Sequence, residues 1–105
     1  ILGNDVFIFT VDVRGEKAGE KMNHIIYVKG PTLSQIQKKV PGASCDSYST
    51  GTSAAIFTEM LGKKEIKNRG AFPPECLETK ARETFIAKLS EKDLEVCERV
   101  ERLLT

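Results

Sequence analysis

Ser47-Tyr48-Ser49-Thr50-Gly51-Thr52-Ser53-Ala54-Ala55-Ile56-Phe57-Thr58-Glu59-Met60-Leu61-Gly62 is the stretch on which the fold turns, because its character changes in the middle. Hydroxyl side chains and one glycine come first, and an apolar helical pattern follows. Ala54, Ala55, Ile56, Phe57, Met60 and Leu61 are mostly good helix formers, and Gly62 stands where a left-handed residue would close a helix. Thr52 or Ser53 is suited to cap its start. Small residues in that first turn let the helix lie against another backbone, and Gly51 permits close approach by a ligand or by a strand.

Upstream, Asp5 to Arg14 reads as a strand. Phe7, Phe9, Val11 and Val13 alternate onto one face; Val6, Ile8, Thr10 and Asp12 take the other and turn polar toward the end, which predicts burial of the first half on both sides. Gly15 to Lys21 reads as a solvated connection, and Met22 to Val28 as the returning strand of a hairpin. Arg14, Lys17 and Lys21 decorate the tip, where they either meet a carboxylated ligand or are simply solvated. His24, the single histidine, lies in the second strand; with no other imidazole in the chain, a structural role fits it better than metal binding. After Gly30-Pro31, Thr32-Leu33-Ser34-Gln35 matches a capping box opening a helix through about Lys39, which Val40-Pro41-Gly42 ends. Ala43 to Ser49 is expected to be extended. Its polar side chains, with Ser44, Asp46 and Thr50 among them, either line a cleft or satisfy backbone groups.

Downstream, Lys63 to Gly70 is a polar surface passage. In Ala71-Phe72-Pro73-Pro74-Glu75 two prolines fix an extended backbone, and Phe72 is placed to pin it to the core. Glu75 is either functional or a capping carboxylate for the next helix. That helix, Glu78 to Leu89, carries Ala81, Phe85, Ile86 and Leu89 on one face. Ser90-Glu91-Lys92-Asp93 resembles a further N-terminal cap, and a last helix would gather Val96, Cys97, Val100, Leu103 and Leu104 on one side.

Composition bounds the function. A chain of 105 residues, 40% hydrophobic and 30% charged, is one domain (1–105) with a single modest core. A net charge of +1, from sixteen basic and fifteen acidic residues, gives no electrostatic case for nucleic acid or an anionic membrane. No run of ~18 apolar residues reads as a membrane span. Cys45, Cys76 and Cys97 are odd in number and widely spaced, so they form neither a disulfide framework nor a metal clip, and a reducing cytoplasmic location is expected. Cys45 with His24 as its base is a weak nucleophile reading. The chain opens at Ile1 and enters an apolar strand almost at once, as a piece of a larger protein would. The fold class expected is α+β: an antiparallel hairpin or sheet packed with three to four helices.

The order of a β hairpin, Thr50-Gly51-Thr52-Ser53-Ala54-Ala55-Ile56, a Met60-Leu61-Gly62 helix end, Glu65-Ile66 and Arg69-Gly70-Ala71-Phe72-Pro73-Pro74-Glu75 resembles the C-terminal part of the saccharopine dehydrogenase (saccharopine reductase) family. The similarity runs from about Val6 to Leu89 and is most specific between Thr50 and Glu75. Family members often read threonine-glycine-x-proline-alanine-alanine in the helix segment; here Ser53 takes the proline's place, and serine also suits a first helical turn.

The resemblance implies the substrate or dimerisation domain of an oxidoreductase of lysine metabolism or a related pathway. A separate Rossmann domain would hold NAD or NADP, and the substrate would be an amino-dicarboxylate or related secondary amine. Hydride would pass between the nicotinamide and a C–N bond, with the protein supplying orientation and carboxylate recognition. Thr50, Gly51 and Thr52 would face the cleft at the exposed N-terminus of the central helix, where backbone N–H groups attract anions. No residue stands out as a general acid or base, so the catalytic group is unassigned, and no metal site is expected. No GxGxxG follows a strand; the chain by itself is therefore expected to bind no cofactor and to be catalytically inert. The missing Rossmann domain, the small-molecule substrate and a second copy joined through the sheet edges are the expected partners. A free-standing α+β interaction module, with apolar edges at Phe7, Ile8 and Phe9, is the other reading.

Overall fold

The structure is a computed structural model that describes residues 5–104; Ile1, from which the expectation of a larger parent protein was drawn, lies outside them. Strand β1 (Ile8–Lys17) and strand β2 (Glu20–Lys29) form an antiparallel hairpin. Helix α1 (Leu33–Lys39), helix α2 (Cys45–Gly62), a 3-10 turn at Pro74–Cys76 and helix α3 (Thr79–Glu91) follow, and β3 (Glu95–Arg102) closes the chain. The sheet order is β1-β2-β3, antiparallel throughout. The class is α+β, as expected.

The hairpin is longer and tighter than the sequence implied. Ala18 (φ 52°) and Gly19 (φ 80°) alone make the turn, the left-handed pair of a type I′ hairpin whose twist matches that of the strands. The residues from Gly15 to Lys17 and from Glu20 to Lys21 therefore continue the ladder instead of forming a loop.

The last element corrects the sequence reading: Glu95–Arg102 is a strand, not a helix. Two facts decide it. Asp93 adopts φ 61°, and the Leu94 N–H donates to the Leu89 carbonyl (3.0 Å) while the Asp93 N–H donates to Ser90 (3.0 Å). This is a Schellman ending, sealed by contact between buried Leu89 and Leu94. Ser90-Glu91-Lys92-Asp93 thus ends α3 rather than starting another helix. The chain leaves it beside the open edge of β2, whose unpaired backbone groups are satisfied by pairing Met22 with Arg102 through Lys29 with Glu95. The end of α2 has the same construction. Lys64, not Gly62, takes the left-handed position (φ 60°), with Glu65 N–H on the Met60 carbonyl and Lys64 N–H on that of Leu61.

Helix α1 opens with the expected capping box: Thr32 Oγ1 accepts from Gln35 N–H (3.2 Å), and Gln35 Oε1 accepts from Thr32 N–H (2.9 Å). The core sits among the helices: Ile36 of α1, Tyr48, Ile56 and Met60 of α2, Ile66, Leu77, Ala81, Leu89 and Leu94. Phe72 packs against it from the proline segment, as expected. Ile36, Met60 and Leu94 are almost wholly excluded from water.

Among the described residues, the sheet meets this core at one end, through half-buried Val28 and Val96. Gly30 is needed at that junction, because a Cβ there would lie 2.9 Å from the Phe7 ring. Among the described residues β1 packs on no helix, and all ten of its residues are exposed. The expectation that its first half is buried on both faces is therefore overturned: β2 offers the strand hydrogen bonds, but no layer covers it. The molecule measures 50 × 42 × 21 Å.

Candidate functional site

The central helix starts earlier than the sequence implied, and this relocates its polar cluster. Ser44 is the N-cap: its Oγ accepts from the Ser47 N–H (3.0 Å), and Ser47 Oγ accepts from the Ser44 N–H (2.8 Å). Asp46 lies in the first turn, where its charge opposes the positive helix end. Ser49 Oγ donates to the Asp46 carbonyl (3.1 Å). Tyr48 is buried and its hydroxyl donates to the Lys92 carbonyl (2.8 Å), tying α2 to the end of α3. Ala43 to Ser49 is thus mostly helix rather than extended chain. Its polar side chains serve the helix itself: neither Thr52 nor Ser53 is the cap.

Thr50, Gly51 and Thr52 consequently lie inside the helix, past the turn whose N–H groups are free, so the anion-attracting helix end expected of them belongs instead to Ser44 and the first turn of α2. Successive helical residues are about 100° apart, so the three fan across roughly 200° of the helix. Thr52 is half-buried on the stripe of Tyr48 and Ile56. Thr50 and Gly51 are exposed, and a Cβ built on Gly51 meets nothing within 4 Å.

Three concavities are lined by other residues. A groove of about 340 Å³ between α2, the 3-10 turn and α3 has Phe57, Leu77, Phe85 and Ile86 as its apolar lining, with Glu75 and Arg82 beside them. The Phe57 and Phe85 rings stand 4.7 Å apart and tilted at 48°. Arg82 reaches Thr79 Oγ1 at 3.2 Å. Glu75 is exposed and α3 has no side-chain cap, so the capping role considered for it is not used. Arg82 went unnoticed in the sequence because it is one of sixteen basic residues; only the meeting of α3 with the proline turn gives it a neighbouring apolar wall. A second hollow, about 470 Å³, lies at the start of α2 beside Asp5, Gln37, Ser44 and Cys45. The third, about 640 Å³, is at the hairpin tip, where Arg14 and Lys21 are joined by Glu16, Glu101 and Arg102. This mixture of charge, with Arg14 on Asp12 (3.4 Å) and Arg102 on Glu20 (3.3 Å), makes the tip a solvated surface rather than a cationic clamp.

His24 Nδ1 lies 3.2 Å from Glu98 Oε1 across β2 and β3, so its partner is a carboxylate rather than Cys45. Cys45 opens α2 and packs on the core; Cys97 is half-buried on β3 and Cys76 is exposed. Among the described residues no three histidine, cysteine or acidic side chains cluster as metal ligands, and no helix is long and apolar enough to cross a membrane.

Among the described residues, ionisation is shifted at two sets of surface pairs. Lys39 is held above the usual lysine range by its hydrogen bond to Asp93, with Tyr48 adding to the effect, and this pair joins α1 to the turn after α3. Glu59 is held low by its hydrogen bonds to Lys63 (2.6 Å) and Lys88 (3.4 Å), and Lys63 is raised in return. These pairs tie neighbouring elements together at the surface.

Compared with known families, residues 3–94 match the model described as Saccharopine dehydrogenase C-terminal domain. No curated protein and no solved structure matches. The matched span ends at Leu94, just before β3.

Proposed function

The chain belongs to the saccharopine dehydrogenase C-terminal domain family, and from that premise we propose that it is the substrate-side wall of an NAD(P)-dependent oxidoreductase acting on the C–N bond of an amino-dicarboxylate or related secondary amine. The nicotinamide is held by a Rossmann domain that these residues do not contain, so the chain alone binds no nucleotide and turns over no substrate. Its contribution is shape and orientation: α2 is held rigidly by Tyr48, Ile56 and Met60, and its exposed positions Thr50 and Gly51 are presented to the cleft, with Thr52 behind them.

Gly51 is the observation that carries this reading. Glycine inside a helix costs roughly 0.5–1 kcal/mol relative to alanine, yet nothing among the described residues stands within 4 Å of where its side chain would be. The space is open to something outside the chain, and a cofactor or substrate approaching the helix closely would require it.

Titration of the chain with NADH and NADPH, followed by nucleotide fluorescence, tests the division of labour. No saturation is expected; saturable micromolar binding would refute it. In the complete enzyme, Gly51→Ala is expected to lower kcat/KM about tenfold or more, since a methyl group in a closely packed cleft displaces the reacting atoms. Unchanged kinetics would remove Gly51 from the cleft.

A further inference from the structure

We propose that the groove between α2, the 3-10 turn and α3 binds a free amino acid with a large apolar side chain, of the phenylalanine or leucine class, at a site separate from the proposed substrate cleft. Its wall is apolar and rooted in the core. Leu77 is buried, Phe57 and Phe85 pack against the core while keeping part of their surface in the groove, and Ile86 stays 43% exposed beside them. At about 340 Å³ the hollow stands near the lower end of the ~300–1,000 Å³ of small-molecule sites. It holds one compound of amino-acid size.

Two charges of opposite sign border this wall. Among the described residues neither Arg82 nor Glu75 takes part in an ion pair, with each other or with a third group. Arg82 Nη2 donates to Thr79 Oγ1 (3.2 Å), which steadies the guanidinium and leaves its remaining N–H groups available to a carboxylate. Glu75 sits in a turn whose backbone Pro73 and Pro74 fix, and its carboxylate can accept from an ammonium group. An apolar amino acid carries both of those charges and an apolar side chain, so it answers all three features of the groove. Its ring or branched chain meets the tilted Phe57 and Phe85 rings.

An amino-dicarboxylate, the substrate class of the oxidoreductase reading, does not fit here. Its second carboxylate would be set against Glu75 or against the apolar wall, and desolvating it there without a partner is costly. Phe57 also lies nearly two turns, about 9 Å, further along α2 than Gly51. A ligand in the groove therefore leaves the proposed cleft open.

Titration of the chain with L-phenylalanine, followed by calorimetry and by backbone amide shifts in NMR, is expected to saturate in the millimolar range or below, with shifts centred on Phe57, Glu75, Arg82 and Phe85. Hydrocinnamate lacks the ammonium, phenethylamine lacks the carboxylate, and L-alanine and L-glutamate lack the apolar side chain; each should bind about tenfold more weakly or worse. Arg82→Gln should weaken L-phenylalanine about tenfold and leave phenethylamine unchanged, while Glu75→Gln should weaken L-phenylalanine and leave hydrocinnamate unchanged. Both positions are exposed, so the far-ultraviolet dichroism spectra of these variants stay native. Absence of saturation, equal affinity for L-phenylalanine and any of the four comparison compounds, or indifference to either substitution would each overturn the inference. Nucleotide titration and the kinetics of Gly51→Ala test the oxidoreductase reading and do not bear on this site.

Discussion

The helical end and the far end of the sheet are built from similarly apolar sequence but are treated oppositely by the fold. Among the helices, Ile36, Met60 and Leu94 are sealed from water; along β1, Phe9, Val11 and Val13 are more than half exposed. Both regions are regular and well hydrogen-bonded. The difference is that a helix satisfies its backbone within itself and is held by burying one stripe, whereas a strand satisfies its backbone through a neighbour and can remain ordered with both faces bare. Regular secondary structure is therefore no measure of where this molecule's stabilisation lies.

The sharpest way to break that contrast is by core truncation. Met60→Ala is expected to cost about 2–5 kcal/mol in urea unfolding, because the cavity left at a fully enclosed site collapses only in part. Val13→Ala, measured at concentrations low enough for monomer, should cost less than about 1 kcal/mol. Equal costs would mean that the sheet face is covered within the single chain. Tyr48→Phe comes next: it leaves the ring packed but removes the bond to the Lys92 carbonyl, for a loss of about 1 kcal/mol by thermal or urea denaturation.

Two substitutions should act in the other direction. Gly51→Ala fills open space in a helix interior and is expected to raise stability by roughly 0.5–1 kcal/mol, while reducing catalysis in the complete enzyme as argued above. Ala18→Asn places a residue tolerant of positive φ at the hairpin turn and should stabilise by under about 1 kcal/mol; amide exchange would show the gain in β1 and β2 rather than in the helices.

The smallest effect is expected at Glu59. Its carboxyl is held low in the folded state, so the associated stability is present above the ordinary carboxylate range and is lost as pH falls through the folded-state value. The partner Lys63 is raised, so its contribution is present below the ordinary lysine range and fades as pH rises through the folded-state value. The difference in thermal midpoint between the native chain and Glu59→Gln should therefore be small at neutral pH and vanish in acid once the pH is well below the carboxyl's lowered folded-state value. A difference that persists there would show that the effect is not one of charge.

Local chemistry was legible in the chain. Thr32 and Gln35 announced their reciprocal cap, Ala81, Phe85 and Leu89 their amphipathic helix, and the two prolines with Phe72 their pinned turn. The resemblance, carried by the Thr50 to Glu75 segments, led to the family that the match over residues 3–94 establishes. What misled the reading was punctuation. Asp93 and Lys64 adopt left-handed backbone without being glycine, so neither marks a helix end in the sequence as glycine would. Glu95 to Arg102, a short run with apolar residues at ambiguous spacing, fits either a helix or a strand until a neighbour is specified.

The sequence by itself determined α1 with its cap, the apolar parts of α2 and α3, and the two strands of the hairpin, because side-chain period and backbone stereochemistry act over a few residues. Only the tertiary structure decided that the last segment is a strand, that Thr50 and Gly51 lie within a helix rather than at its start, and that one apolar sheet face is left open. Those outcomes depend on which backbone edge and which apolar layer lie nearby in space, and residues as far apart as Met22 and Arg102 meet only after the chain has folded.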